Sequence, residues 1–332
     1  MSTVALWAVW SGMGLVAWTL LGVVVDYMVG NPRRNYNPLW YLVNTISYLA
    51  GLTTRLFKSR WALRIAGTFL TLVMVFGMLG ILSLALMAAD HFSVWALRAL
   101  IVILTYYGVS VRGLSDTALA IYAPLVGSRA DEARFHLAVS MGRDTMALSS
   151  SEVIRATIET VAESTCESVV GPLLFGFIGG PAWLWFYKTV IAVTVVLGHR
   201  DIKYEGLGWF AAHLDDWVNW IPARIAGWMI LLSAGMEGRY RHAKEVMRRD
   251  SHLHSHLKNG LTEAAMAGAL GIGLGGANTF GGVVSLRPRI GTPENPLVPR
   301  TIVHAVTISL RGVAVFVMGM SLISVIVTGR WL

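Results

Sequence analysis

The sequence predicts an all-α, polytopic helical membrane protein with re-entrant or broken helices near its middle. Three observations carry this reading. Of 332 residues, 55% are hydrophobic and only 14% charged, against roughly 25% charged in ordinary soluble domains. Several uncharged stretches are long enough to cross ~30 Å of hydrocarbon. An apolar stretch carries Gly179-Gly180-Pro181 near its middle, where a helix can break. With a mean hydropathy of +0.59 and 13 tryptophans, one soluble core cannot hide the apolar surface, and disorder is excluded by the same composition. The formal charge of +8 belongs, in such a protein, to loops facing the anionic cytoplasmic leaflet. It does not call for nucleic acid. A single cysteine, Cys166, excludes an intramolecular disulfide and a thiolate metal site.

Residues 1–25 carry no charge before Asp26 and suffice for a first span. No Lys or Arg precedes Arg33, so the segment lacks the charged start of a cleaved signal peptide and reads as a retained anchor. Ile65–Ala89 is the second span and Phe92–Val111, interrupted by Arg98, the third, with Asp90 and His91 as a tight hairpin between them. Arg33, Arg34, Arg55, Lys58, Arg60 and Arg64 separate the first two spans with no Asp or Glu after Asp26, which puts that loop in the cytoplasm. The polar stretch 112–168 is then cytoplasmic as well. Val169–Gly198 is apolar but holds Gly179-Gly180-Pro181 and Lys188, and reads as a full span or a broken re-entrant pair. Val218–Met236, with Pro222 and Arg224 in its first turns, is a further candidate, followed by a basic, cytoplasmic stretch to Lys258. Ala264–Gly282 is dominated by Ala and Gly and suits close helix packing. Gly312–Gly329 is the last span. With no internal repeat or linker, 1–332 reads as one membrane domain, with polar loops at 199–217 and 237–262.

The scarce acids are not evenly spread. Ser149-Ser150-Ser151-Glu152 has the pattern of a capping box, and the helix it opens places Glu152, Arg155, Glu159, Glu163 and Glu167 on one face. Glutamates at i, i+4 and i+8 repel one another, so something must compensate. A solvated face beside basic loops is the plain reading. The functional one is a divalent cation or a cationic substrate group, and carboxylates suit Mg²⁺ because it is a hard cation. Upstream, Gly142-Arg143-Asp144-Thr145 offers a guanidinium suited to phosphate. Downstream, Asp215, Asp216, Asn219 and Arg224 stand at the mouth of an apolar segment. Alone, that segment reads as an interfacial belt with Trp217 and Trp220 as anchors and the aspartates in water.

Two apparent motifs are discounted. Gly271–Gly276 fits G-x-G-x-x-G, but it follows a small-residue helix and not a strand, so close helix packing is preferred. His252, His254 and His256 alternate as they would on one face of a strand holding a metal, and an exposed basic loop is preferred. No Walker P-loop is present.

The order of blocks resembles the cobinamide-phosphate synthase (CobD/CbiB) family of cobalamin biosynthesis. The similar stretches are S-M-G-R-D-T (140–145), V-I-R-A-T-I-E-T-V-A-E-S-T (153–165), V-V-G-P-L-L-F (169–175), G-G-P-A (179–182), Y-K (187–188), L-D-D-W-V-N-W-I-P-A-R (214–224) and E-A-A-M-A-G-A-L-G-I-G-L-G-G (263–276). Gly30-Asn31-Pro32 is similar to that family's G-D-P. The resemblance implies a multi-pass enzyme of the bacterial inner membrane that joins adenosylcobyric acid to aminopropanol or its phosphate, with ATP as co-substrate and Mg²⁺. On that view Arg143, Asp144, Glu159, Glu163, Asp215 and Asp216 are the catalytic candidates. Lys188, Asn219, Arg224 and Glu263 are substrate-binding candidates, and Glu159, Glu163, Glu167 and Asp215 are metal candidates. Arg143, Lys188 and Arg224 suit phosphates.

The departures from the family pattern are specific. Ile191, Thr194 and Val195 stand where the family usually has Asn, Asp and Ser; Glu167 replaces an Asp, and 256–262 replaces Ser-Pro-Asn-Ala-Gly-Trp-Pro. They leave two readings, a divergent synthase and a non-catalytic membrane homologue that binds a corrinoid or acts as an assembly or sensory partner. A transporter is a third, with neither inverted halves nor mid-span charges to support it. A single crossing at 169–198 would put Asp215-Asp216 opposite the Arg143 and glutamate segment, whereas one ATP site needs both in the cytoplasm. A re-entrant break at Gly179-Gly180-Pro181 would reunite them, but 218–236 could not then be an ordinary crossing. Oligomeric state, a homo-oligomer included, is left open.

Overall fold

The computed structural model describes residues 14–30, 36–141, 145–197, 206–254, 256–280 and 283–328. In chain order the helices are α1 (Gly14–Val29), α2 (Pro38–Leu56), α3 (Arg60–Phe92), α4 (Val94–Gly108), α5 (Val111–Val126), α6 (Ala130–Met141) and α7 (Ser150–Ser164). A π-helical turn (Thr165–Val170) leads into α8 (Gly171–Leu197), then α9 (Trp209–Val218), α10 (Trp220–Gly235), α11 (Tyr240–Asp250) and α12 (Leu257–Leu270). A hairpin of β1 (Leu274–Phe280) and β2 (Val283–Ile290) follows, and α13 (Pro299–Thr328) comes last. The protein is thus a helical membrane protein with one small antiparallel sheet among the described residues. Arg60–Phe92, Val94–Val126, Ser150–Leu197 and Pro299–Ser324 are each long and apolar enough to cross a bilayer. At 33 residues, or about 50 Å at 1.5 Å per residue, α3 is longer than the ~30 Å hydrocarbon layer is thick.

Local chemistry sets the helix ends. The Asn37 side chain accepts from the Leu39 amide at 3.0 Å, with Pro38 as the first residue of α2. Asp90 and His91, expected to form a hairpin, instead lie in the last turn of α3. The reversal is made by Ser93, whose hydroxyl accepts from the Trp95 amide at 3.2 Å and so caps α4. The polar stretches 112–168, 199–217 and 237–262 contain helices of their own, α5 to α7, α9 and α11. The capping box forms as the sequence predicts, with the Ser149 amide donating to Glu152 Oε2 at 2.8 Å and the Glu152 amide to Ser149 Oγ at 3.3 Å. In α8 the break falls where Gly-Gly-Pro predicts it. Gly179 (φ −136°, ψ 16°) and Gly180 (φ +74°, ψ −171°) leave helical geometry, and Pro181 opens the second half, where its missing N–H costs nothing.

The chain folds into two compact units, one of residues 1–110, 171–219 and 319–332 and the other of 111–170 and 220–318. In the first, Leu42, Ile46 and Ala50 of α2 pack with Ala192, Val193 and Leu197 of α8 and with Leu207 and Ala211. In the second, α12 is the central helix. Ala264, Ala265, Met266 and Ala267 are fully buried there, and Gly268 lets α11 approach so closely that a Cβ would stand 2.7 Å from the Ala243 Cα.

The Ala/Gly-rich segment is a helix only to Leu270, which corrects the expectation of close helix packing for Gly271–Gly276. Gly271 ends α12 in the left-handed conformation (φ 65°, ψ 44°), and the glycines after it enter β1. Gly275 (φ +79°) and Gly276 (φ +105°) sit at an irregularity of the sheet, with Gly276 paired to Arg287. Helix periodicity could not show this, because the strand partner lies in a later segment.

Candidate functional site

The second unit brings the predicted glutamate stripe against α12 and the hairpin, and each glutamate finds a different donor. Glu159, 2% exposed, accepts from the Gly275 backbone N–H at 2.8 Å through Oε1. Glu163 Oε1 accepts from Asn259 Nδ2 at 2.8 Å. Glu167, carried on the π-helical turn, pairs with Lys258 Nζ at 2.5 Å. These three donors supply the compensation that the repelling stripe requires. The π turn is pinned in turn by Thr165, whose hydroxyl donates to the Val161 carbonyl at 2.8 Å and lies 2.9 Å from Ser309 Oγ. Such turns recur at functional sites.

On the facing side, Lys258, Asn259, Thr262 and Glu263 form one face of α12 by i, i+4 spacing. Buried Glu263 has His254 Nε2 at 3.9 Å and Arg287 Nη1 at 3.8 Å from its Oε1. Arg155, also buried, lays its guanidinium against Gly276, so close that a Cβ there would stand 2.7 Å from Nη1. Two acceptors in this seam, Glu159 Oε2 and Asn259 Oδ1, are buried with no hydrogen-bond partner. A buried acceptor without a donor is costly, and a group bearing only donors, such as an ammonium, or a hard cation relieves that cost. Asp250 anchors the far end of the hairpin by accepting from the Gly291 amide at 2.8 Å. Its hydrogen bonds from Arg249, then that amide, hold its carboxyl below the usual range against the opposing effect of burial.

The first unit holds a separate polar group. Tyr187, fully buried in α8, donates to Asn219 Oδ1 at 2.7 Å, and Asn219 Nδ2 reaches both the backbone oxygen and Oδ1 of Asp215 at 3.0 Å. A side chain at Gly171 would overlap the Tyr187 ring. Asp215, 1% exposed, is therefore not in water as the interfacial-belt reading had it, although Trp217 and Trp220 are exposed as that reading requires. Asp216 is half-buried on α9 and Lys188 is buried in α8. Arg224, in the second unit, donates to the Trp220 carbonyl at 2.7 Å and stacks on the Trp220 ring at 3.9 Å. Arg143, Asp144 and Asn31 lie outside the described residues. Of the departures, Ile191 is buried, Val195 is exposed, and Thr194 donates to the Ala211 carbonyl at 3.2 Å.

The histidines do not alternate along a strand. His252 is exposed in a 3₁₀ turn, while buried His254 accepts from the His256 amide through Nδ1 at 3.0 Å. Among the described residues no three His, Cys, Asp or Glu side chains gather as a metal cluster. Sequence reasoning missed Lys258, Asn259, Arg287 and Tyr187 as site residues, and it set His254 aside as part of an exposed loop although that side chain is buried. The first two were legible by stepping back one turn from Glu263; Arg287 depends on strand register and has no local signal.

A family model described as CobD/Cbib protein matches residues 19–309. A cobalamin biosynthesis protein CobD of Clostridium tetani is 36% identical over 281 residues, 84% of this chain and 88% of its own. The protein of the same name from Yersinia enterocolitica is 33% identical over 310 residues, 92% and 97% of the two chains. That of Geobacter metallireducens is 35% identical over 279 residues, 84% and 87%. No solved structure matches. With a family model spanning most of its length and relatives above 30% identity along nearly all of theirs, the chain belongs to the CobD/CbiB protein family.

Proposed function

We propose that the protein acts in cobalamin biosynthesis as an amide-forming ligase, joining the propionate carboxyl of adenosylcobyric acid to the amine of aminopropanol or its phosphate at the expense of ATP. Family membership supports the pathway. The observation that carries the chemistry is the α7–α12 seam, where Glu159 Oε2 and Asn259 Oδ1 are buried acceptors without donors beside Arg155 and Lys258. A carboxylate does not condense with an amine unaided. Transfer of the γ-phosphoryl group of ATP to the carboxylate gives an acyl phosphate and ADP. The amine nitrogen then bonds to the acyl carbon as the C–O bond to phosphate breaks, and its proton passes to a seam carboxylate. Fixing both reactants in one geometry supplies much of the acceleration.

In this reading Asn259 and Glu163 hold the amine, and the forked guanidiniums of Arg155 and Arg287 hold phosphate oxygens. Arg143 and Lys188 stay phosphate candidates, while Arg224 is engaged with Trp220. Mg²⁺ fits this donor set through Glu159 Oε2, a buried oxygen without a partner. It would complete its shell with phosphate oxygens and water, as this ion commonly does. When bound it would offset phosphate charge during transfer.

Ile191 and Val195, apolar where the family usually has Asn and Ser, favour a second reading, a non-catalytic homologue that binds a corrinoid. Expression in a bacterial strain lacking its own synthase and fed cobyric acid separates the two. Growth that Glu159→Gln abolishes supports the ligase. Absence of growth despite normal membrane insertion supports the homologue.

A further inference from the structure

The first unit carries a groove remote in the chain from the glutamate stripe, lined by Trp61, Arg64, Ile65, Phe69, Leu72 and Trp209 with a volume of about 560 Å³. That volume is in the range of small-molecule sites, roughly 300–1,000 Å³. Its wall is apolar apart from Thr68, whose hydroxyl is spent on the Arg64 carbonyl at 2.8 Å, and Arg64, whose guanidinium lies over two indoles, 5.3 Å from the Trp61 ring and 5.7 Å from the Trp209 ring. Among the described residues no carboxylate pairs with Arg64, and its Nε is buried without a hydrogen-bond partner. Gly67 makes the arrangement: a side chain there would overlap the Leu207 carbonyl oxygen, so its absence lets the segment before α9 press on α3 and bring Trp209 over Arg64.

The order along α3 matches a phospholipid. Arg64 is in the second turn of a helix longer than the hydrocarbon layer is thick, so it stands at headgroup level, where tryptophan is favoured. Ile65, Phe69 and Leu72 follow at i+1, i+5 and i+8 and run from that level into the acyl layer. Lys58 and Arg60 add positive charge at the same end, and a guanidinium stacked on indoles keeps its N–H edge for two parallel bonds to phosphate.

We propose that this groove holds one anionic phospholipid, its phosphate on Arg64 and an acyl chain along Ile65, Phe69 and Leu72. The site is independent of the ligase reading. The test is native mass spectrometry of the full chain released from detergent micelles containing equal amounts of phosphatidylglycerol and phosphatidylcholine, with and without excess glycerol phosphate. The wild-type chain retains phosphatidylglycerol over phosphatidylcholine by about tenfold, equivalent to ~1.4 kcal/mol, and glycerol phosphate does not displace it. Arg64→Gln and Leu72→Trp each lower that retention about tenfold. The second variant fills the groove with Arg64 intact, and decides the matter if Arg64→Gln is not monodisperse. Equal retention of the two lipids, unchanged retention in the variants, or displacement by glycerol phosphate overturns the proposal.

Discussion

The backbone N–H of Gly275 donates to Glu159 Oε1 at 2.8 Å, joining residues 116 positions apart. One carboxylate oxygen thereby fixes the glycine-rich start of a hairpin onto α7, and the other is left in the buried seam without a donor. Glu159→Gln retains an acceptor for Gly275 while removing the charge. It should unfold within about 1 kcal/mol of the parent, yet lower ligase turnover by roughly 10²-fold, the size of effect that loss of one preorganised charged group produces. Glu159→Ala should also destabilise by about 1–3 kcal/mol, because Gly275 loses its partner. Thermal unfolding in detergent alongside turnover distinguishes the two variants.

Lys258 and Glu167 form a largely buried ion pair. Lys258→Met leaves a carboxylate with its principal counter-charge removed, and should cost about 3 kcal/mol. Adding Glu167→Gln should restore most of that loss, giving a coupling of about 1–3 kcal/mol in a double-mutant cycle. Additive losses would show that the pair contributes nothing of its own.

Gly275→Ala forces a side chain onto the Pro288 carbonyl at a positive φ. It should cost more than about 2 kcal/mol and expose the hairpin to protease. Gly273→Ala is the control, since a Cβ there meets only Pro293 Cβ, at 3.7 Å. It should stay within about 0.5 kcal/mol of the parent.

Asp250 titrates below its ordinary value of 3.8. A folded-state pKa lower than the unfolded one contributes stability that is complete above the unfolded value and is lost as pH falls through the folded one. Melting temperature should therefore carry an Asp250-dependent fall only below about pH 4. Asp250→Asn should lose about 1 kcal/mol at neutral pH and flatten that part of the acid limb.

Much of this was legible in the sequence, for local reasons. Ser149 and Glu152 announce the start of α7, Gly179-Gly180-Pro181 announces the break in α8, and the i, i+4, i+8 glutamates announce a face that needs partners. The partners themselves were not legible. Glu159 bonds an amide in a strand that follows an Ala/Gly-rich helix, and nothing in Gly271–Gly276 distinguishes a helix-packing surface from the turn and strand it forms. Asp215 reads as a solvated neighbour of Trp217 because its burial depends on Asn219 and on Tyr187, which is 32 residues from Asn219 in the chain. Arg287 enters the seam only through its register opposite Gly276.

The most direct measurement is a reconstituted reaction. Purified full-length protein in detergent is given adenosylcobyric acid, aminopropanol phosphate, ATP and Mg²⁺, and product and ADP are followed by mass spectrometry. The ligase reading predicts amide and ADP in equal amounts, with both formed roughly 10²-fold more slowly by Glu159→Gln. Tight corrinoid binding with neither amide nor ADP formed would contradict it.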